Sequence, residues 1–148
     1  MTNLERVQAI MEELGPAMPD VDAVVQQGDS TWAVAFADEL IVVIELDSLE
    51  RRLVLSIDVG RPSDEAKGAV YETALTYAYL WRDTGGARLA LGGADGELAL
   101  LFDVELAELT LPDLQSMLLD LAQKGRIWRG FVAGAVEAPS MVEVGIRI

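Results

Sequence analysis

The chain has no cysteine and no histidine among its 148 residues. It therefore has no disulfide, no thiolate nucleophile, no imidazole for general-base catalysis and none of the nitrogen and sulfur ligands of ordinary zinc sites. Any catalysis would have to rely on carboxylates, hydroxyls, lysine or arginine. We expect from these absences that the protein is not an enzyme and holds no metal ion or other cofactor.

Positive charge is scarce as well. The chain carries 11 lysine and arginine residues against 25 aspartate and glutamate residues, for a formal net charge of −14. Binding to nucleic acid depends on basic side chains that displace counterions from phosphates, so this balance argues against a nucleic-acid partner. The same charge keeps an apolar protein in solution and favours basic or neutral partners.

Long apolar runs are also missing, although 51% of the residues are hydrophobic. The longest strand-like run, residues 40–44, is far shorter than the ~18–20 residues that span a bilayer. The first residues, Met1-Thr2-Asn3, lead directly into an acidic amphipathic pattern and do not resemble a signal peptide. We therefore expect a cytoplasmic protein without membrane insertion, folded as a single domain over residues 1–148.

Apolar periodicity predicts an α+β fold in the order α-β-β-β-α-β-β-α, with an antiparallel sheet packed against helices. A first helix is expected over residues 3–14, where Gly15-Pro16 would end it. Residues 16–29 are rich in proline, aspartate and glycine and are predicted to be loop. The remaining predicted elements are strands over 31–37, 40–46 and 53–59, a helix over 63–82, strands over 88–91 and 97–102, and a helix that begins at Thr110 and keeps one apolar face to Val132.

The second predicted helix carries apolar residues on two faces. One stripe consists of Val70, Ala74, Tyr77, Ala78 and Trp81, and the other consists of Tyr71, Leu75 and Tyr79. A helix that is apolar on two sides needs cover on two sides. The sheet of so small a domain can cover one stripe, and a second subunit would cover the other.

Two patterns that could carry chemistry have simpler structural interpretations. The glycine-rich residues 92–96 lack the Lys-Ser/Thr of a phosphate-binding loop and precede a strand, so a hairpin turn is expected there. The carboxylates cluster at turns and helix ends, where they are ordinarily solvated, whereas acid–base catalysis needs two carboxylates in different, partly buried environments. Asp20 and Asp22 lack the later glycine and glutamate of a calcium loop.

Three stretches resemble a known family. Residues 84–91 (TGGARLAL) and 95–100 (DGELAL) are similar to the helix end, hairpin and glycine turn of the class I type III secretion chaperones, the Tir-chaperone family. Trp128-Arg129 resembles the tryptophan-arginine pair near the C-terminus of that family. The similarity covers roughly residues 3–133, and its motifs are patterns of apolar spacing rather than catalytic signatures.

The resemblance implies a homodimer and a bound effector. It implies that the N-terminal segment of a type III secretion effector wraps the dimer in extended form and stays competent for export. The effector-binding groove implied by the family consists of Leu4, Val7, Met11, Trp32, Val34, Phe36, Ile41 and Val43. The dimer interface implied by the family consists of Tyr71, Leu75, Tyr79, Leu89 and Leu91. Residues 135–148 form a longer tail than the family usually carries, and their alternation predicts an edge strand that could occupy or extend the binding edge.

Two other functions remain open at the level of sequence. A regulator or adaptor of the same fold, similar to the YbjN-like proteins, would bind a folded protein partner. A small-molecule binding module would have one enclosed pocket between helix and sheet, lined by Trp32, Trp81 or Trp128. The chaperone hypothesis differs from both because it requires a stable dimer and apolar surface that is open to an extended peptide.

Overall fold

The computed structural model describes residues 1–80 and 84–134, which form three helices and six strands. In chain order these are α1 (Asn3–Ala17), β1 (Val21–Gln26), β2 (Thr31–Phe36), β3 (Ile41–Leu46), β4 (Arg52–Gly60), α2 (Lys67–Tyr79), β5 (Arg88–Leu91), β6 (Leu98–Glu105) and α3 (Leu111–Val132). The predicted α+β class is confirmed, with one strand more than the predicted order. The predicted strand within residues 135–148 and the predicted helix end at Arg82 lie outside the described residues.

The described strands form one sheet in the order β1-β2-β3-β4-β6-β5. Consecutive strands from β1 to β4 pair antiparallel, as do β5 and β6. Short turns join these pairs, which is the connection that antiparallel neighbours permit. Among the described strands, β1 and β5 are therefore the edges of the sheet.

Strand β1 corrects the prediction of a loop over residues 16–29. The register of β1 against β2 shifts between Val21 and Ala23, so Asp22 lies in a bulge. A bulge interrupts the two-residue alternation of side chains, and the neighbouring proline, aspartate and glycine residues suggest turns. The apolar residues of β1, Val21, Ala23, Val24 and Val25, therefore do not alternate regularly with polar ones. The loop prediction was wrong because the alternation rule assumes a regular strand.

Helix α1 continues past the predicted stop at Gly15-Pro16 and ends at Ala17. Pro16 lies in the last turn, where the loss of one backbone N–H removes a single hydrogen bond rather than breaking the helix. The N–H of Met18 donates to the carbonyl of Gly15 and closes the end. At the start, the hydroxyl of Thr2 accepts from the N–H of Glu5, which is an N-cap.

Helix α3 begins with a capping box, close to the predicted start at Thr110. The N–H of Asp113 donates to the Thr110 hydroxyl at 3.3 Å, and the N–H of Thr110 donates to the Asp113 carboxylate at 3.3 Å. Two backbone donors that a helix start leaves unpaired are satisfied in this way. Helix α2 begins later than predicted, at Lys67, after a turn in which Ser63 accepts the N–H groups of Ala66 and Lys67.

The chain divides into two compact units, residues 1–56 with 103–120, and residues 57–102 with the part of the chain from 121 onward. In the first unit the buried residues of α1 are Val7, Met11 and Leu14. Strand β2 buries Trp32, Val34 and Phe36 on one face and the small Ala33 on the other. Arg6 anchors α1 in this unit, because its Nη1 and Nη2 atoms donate to the carbonyls of Leu106 and Leu109, both at 2.6 Å.

In the second unit, the rings of Tyr77 and Trp128 meet edge to face with centroids 5.0 Å apart. Both rings are almost fully buried. Gly125 lets α3 approach the sheet closely, because a Cβ atom at this position would lie 2.7 Å from Cδ1 of Ile57. Among the described residues, no helix is long and apolar enough to cross a membrane.

Candidate functional site

Three of the eight predicted effector-binding residues lie on α1, and the structure divides the other five between the two faces of the sheet in the first unit. Trp32 and Val34 pair with the buried Ile44 and Val42 on the face that α1 covers. Ile41 and Val43 pair with Ala35 and Ala33 on the opposite face. Since successive side chains of a strand point to opposite faces, these residues cannot line one groove.

The burial of the eight residues differs as much as their positions. Val7, Met11, Trp32, Val34 and Phe36 are buried, each with at most 3% of its surface exposed. Leu4 and Val43 are half-buried, and Ile41 is 49% exposed. Of the predicted set, Ile41 therefore offers the most surface to a partner, while most of the others form the core that shapes the surface.

A groove lies between α1 and β1 in this unit. Its volume is about 320 Å³. The residues that line it are Gln8, Met11, Glu12, Val24, Gln26 and Trp32. Met11 and Trp32 belong to the predicted effector-binding set, whereas the other four lining residues do not. The two on β1 could not be found because that strand was predicted to be loop, and Gln8 and Glu12 lie outside the apolar stripe by which α1 was recognised.

Strand β1 is a free edge beside this groove within the described structure. The sheet order places β2 on one side of it and no described strand on the other. Val25 is 53% exposed, and its cross-strand partner is Ala33 on the face that carries Ile41 and Val43. A strand edge presents unpaired N–H and C=O groups that an extended peptide can complete. The edge thus adjoins the groove on one face and an apolar patch (Val25, Ala35, Ile41 and Val43) on the other.

In the second unit, α2 has the two apolar faces that its sequence predicts. Val70, Ala74 and Tyr77 are buried. Leu75 is 70% exposed and Tyr79 is 84% exposed, one turn apart on the other face. Apolar residues exposed singly are ordinary, but neighbouring ones on one helix face mark a contact surface.

Two further observations bear on the predicted dimer residues. Tyr71 is half-buried, and its hydroxyl donates to the carbonyl of Gly96 at 2.9 Å, which ties α2 to the turn between β5 and β6. On the edge strand β5, Leu91 is 63% exposed, whereas Leu89 is 5% exposed and belongs to the core. The exposed part of the predicted set is therefore Leu75, Tyr79 and Leu91.

Asp47, Arg52 and Asp103 form a network of charged groups in the first unit. Hydrogen bonds from the backbone N–H groups of Arg51 and Arg52, with the Arg52 guanidinium, hold the pKa of Asp47 below its ordinary value of 3.8. Arg52 also binds Asp103, with 2.9 Å between Nη1 and Oδ2. This network joins the β3–β4 turn to β6. Within the described part of the chain, no group of three or more carboxylates is placed to hold a metal ion.

The comparison with solved structures identifies chaperone folds. A structure of the ExsC–ExsE complex matches with a TM-score of 0.75 and 16% identity, over 92% of this chain and 100% of the other. A structure of the HopA1–SchA chaperone–effector complex matches with a TM-score of 0.66 and 17% identity, over 86% and 94%. The Yersinia pestis type III secretion chaperone SycH, in complex with a fragment of YscM2, matches with a TM-score of 0.58 and 19% identity, over 84% and 98%.

These structures share the fold of this chain at identities too low to carry more than the fold. No curated protein is significantly similar to the chain in sequence. The sequence profile of a family does match, however, and it spans residues 12–129, which include the β1 edge, both faces of α2 and the Trp128-Arg129 pair. By this match the chain belongs to the Tir chaperone protein (CesT) family.

Proposed function

We propose that this chain is a homodimeric, cytoplasmic type III secretion chaperone that binds the N-terminal segment of an effector in extended form. It acts by binding alone and keeps the segment competent for export. The observation that carries the proposal is the edge of β1, which no strand of the described residues covers and which has a groove on one face of the sheet and an apolar patch on the other. Family membership and the fold of chaperone–effector complexes support it.

Strand addition explains how one edge can hold many extended sequences. A peptide that pairs with β1 bonds through its backbone, which every sequence has, and its alternate side chains point to the two faces. The peptide side chains on one face enter the groove that Met11 and Trp32 help to line, and those on the other face contact Val25 and Ile41. Affinity then comes from the backbone and specificity from the two rows of side chains.

The energetic balance favours a long cargo segment. Ordering a disordered segment costs about 2–5 kcal/mol or more. One hydrogen bond contributes only about 0.5–1.5 kcal/mol net, so the six-residue edge of β1 has little surplus by itself. A segment that continues over the second subunit of a dimer would meet a second edge and gain effective concentration. The dimer is therefore part of the proposed mechanism.

The test begins with purification of the tagged chain from its native cytoplasm and identification of any protein that accompanies it. The first residues of that protein are then co-expressed with the chain as a separate segment, and their complex is measured by calorimetry and limited proteolysis. We expect a stable complex in which the segment resists cleavage while it remains extended. A partner that binds only when folded would contradict the chaperone proposal and favour the adaptor.

Two lysine substitutions locate the binding edge. Val25→Lys adds a charge to the β1 edge, whereas Leu49→Lys adds one to the β3–β4 turn, where Leu49 is 68% exposed. Since Val25 has about half of its surface to lose, we expect Val25→Lys to weaken binding roughly fivefold to tenfold. Leu49→Lys should change binding less than about twofold, because an exposed turn residue contributes little. Equal effects of the two variants would argue against strand addition at β1.

A further inference from the structure

We propose that the groove between α1 and β1 receives a cationic side chain, arginine in preference to lysine, from the extended segment that adds to β1. This inference rests on the proposed function and specifies the chemistry of its cargo. Apolar side chains would then serve the opposite face of the sheet, where Val25 and Ile41 are exposed. The cargo would alternate between a basic position and apolar ones.

The position follows from strand geometry. Val24 and Gln26 pair with Val34 and Trp32, so they lie on the face of β1 that α1 covers. A strand added to β1 lies about 4.7–4.9 Å further out, with side chains on the same face at every second residue. Such a side chain would enter beside Val24 and Gln26. The facing residues on α1 are Gln8 and Glu12, which line the same groove.

The lining suits a long side chain with an apolar stem and a charged end. Met11, Val24 and Trp32 supply an apolar wall for the methylene groups, as the stems of arginine and lysine require. The polar lining is rich in hydrogen-bond acceptors. Glu12 contributes a carboxylate that forms no ion pair within the described structure.

Gln26 adds a further acceptor to the groove. Its amide nitrogen is engaged with the carbonyl of Gly28 at 2.8 Å and with that of Asp29 at 3.4 Å. Its own carbonyl oxygen is therefore the part of the amide left to accept a hydrogen bond. Glu12 and Gln26 can therefore each accept a hydrogen bond from a side chain that enters the groove.

The acidic residues around the groove favour a positively charged side chain in it. Residues 1–30 contain a single basic residue, Arg6, and its guanidinium already donates to the carbonyls of Leu106 and Leu109. The acidic residues of this stretch are Glu5, Glu12, Glu13, Asp20, Asp22 and Asp29. A carboxylate on the cargo would be repelled. Glu12 and Gln26 are exposed in the free chain, and a purely apolar side chain would cover them without replacing the hydrogen bonds to water that they lose, which is costly for a polar group.

Arginine fits the groove better than lysine for a geometric reason. Its planar guanidinium presents parallel N–H groups that match the two oxygens of a carboxylate such as Glu12. Guanidinium is also more weakly hydrated than ammonium, so it loses less on entering a partly apolar groove. We therefore expect arginine to bind more tightly than lysine although both side chains carry the same charge.

A set of synthetic nonapeptides tests the inference on the full chain. The peptides alternate threonine and valine and differ at one central position, which holds arginine, lysine, citrulline, leucine or glutamate. Binding is followed by the backbone amide signals of Val24 and Gln26 in nuclear magnetic resonance titrations at low salt. We expect the arginine peptide to bind roughly fivefold to tenfold more tightly than its neutral isostere, the citrulline peptide, and the glutamate peptide to bind most weakly.

A pair of variants assigns the effect to one carboxylate. Glu12→Gln should abolish the difference in affinity between the arginine and citrulline peptides. Glu13 is exposed like Glu12 but does not line the groove, so Glu13→Gln should retain the difference. Equal binding of the arginine, citrulline and leucine peptides, or an arginine preference that survives in Glu12→Gln, would overturn the inference and leave strand addition standing. If no peptide shifts Val24 or Gln26 at millimolar concentration, strand addition at β1 fails and this inference fails with it.

Discussion

Replacement of Leu75 and Tyr79 by aspartate should convert the proposed dimer to a monomer without unfolding it. The two side chains are 70% and 84% exposed in the single chain, so their substitution removes little from the core. Full burial of a large apolar side chain contributes about 1.5–3 kcal/mol, and at these exposures each residue would contribute about 1–2 kcal/mol to association. Each occurs twice across a twofold interface, so the double variant should lose about 4–8 kcal/mol, or three to six powers of ten in dissociation constant.

Sedimentation equilibrium between about 1 and 100 µM measures this loss, because a dissociation constant shifted by three or more powers of ten moves out of that range. The midpoint of thermal unfolding adds a second measurement, since it depends on protein concentration for a dimer and not for a monomer. Circular dichroism reports whether the variant keeps its helices and strands. A matched control is Leu119→Asp on α3, where the leucine is 45% exposed and lies outside the proposed interface.

Two results would refute the dimer argument. One is a wild-type chain that remains monomeric at micromolar concentration, since the exposed face of α2 would then need another explanation. The other is a Leu75→Asp/Tyr79→Asp variant that dimerises as tightly as the wild type. Equal weakening by Leu119→Asp would also show that added negative charge, rather than loss of this face, separates the subunits.

Three further predictions concern the framework of the site. Arg6→Met should lower the free energy of unfolding in urea by about 2–4 kcal/mol, because two charge-assisted hydrogen bonds to Leu106 and Leu109 are lost. The control Arg61→Met breaks only an exposed ion pair of 3.9 Å with Asp64 and should lower it by less than about 1 kcal/mol. Gly125→Ala should lower the free energy of unfolding by about 1 kcal/mol, since crowding against Ile57 outweighs the better helix propensity of alanine. Adding Ile57→Val should recover part of this loss, and a double variant whose destabilisation equals the sum of the two single variants would contradict the contact. Folding lowers the pKa of Asp47, so the stability that this carboxylate contributes is present above its unfolded pKa of 3.8 and is lost as pH falls through the lower folded value. Asp47→Asn should therefore be less stable than the wild type at pH 7, and the difference should vanish in acid. A difference in stability that does not change with pH would contradict this cause.

Most of the fold was predictable because its signals are local. The apolar residues of β2 and β4 and the two stripes of α2 can be recognised from neighbouring residues, and the structure contains both strands and a helix with two apolar faces. Strand β1 escaped prediction for the same reason. It pairs with β2 across a short turn, but its own pattern is broken by the bulge at Asp22 and surrounded by turn residues, so it lacks the local signal of a strand.

The binding site was less predictable than the fold. Alternation in β2 and β3 distinguishes two faces of the sheet, but both faces of β3 are apolar, with Val42 and Ile44 on one and Ile41 and Val43 on the other. No local pattern says which face α1 covers. The predicted groove therefore combined core residues such as Val34 with surface residues such as Ile41, and it missed Glu12 and Gln26.

The sequence alone determined the class of fold, the two-faced α2 and the absence of thiol and imidazole chemistry, because composition and periodicity act over a few residues. The tertiary structure alone decided which apolar residues stay exposed, since burial depends on what packs against a residue from elsewhere in the chain. It left Leu75, Tyr79 and Val25 uncovered and enclosed Val34 and Phe36. It also placed β1 at the edge of the described strands, because sheet order depends on segments that are far apart in the chain.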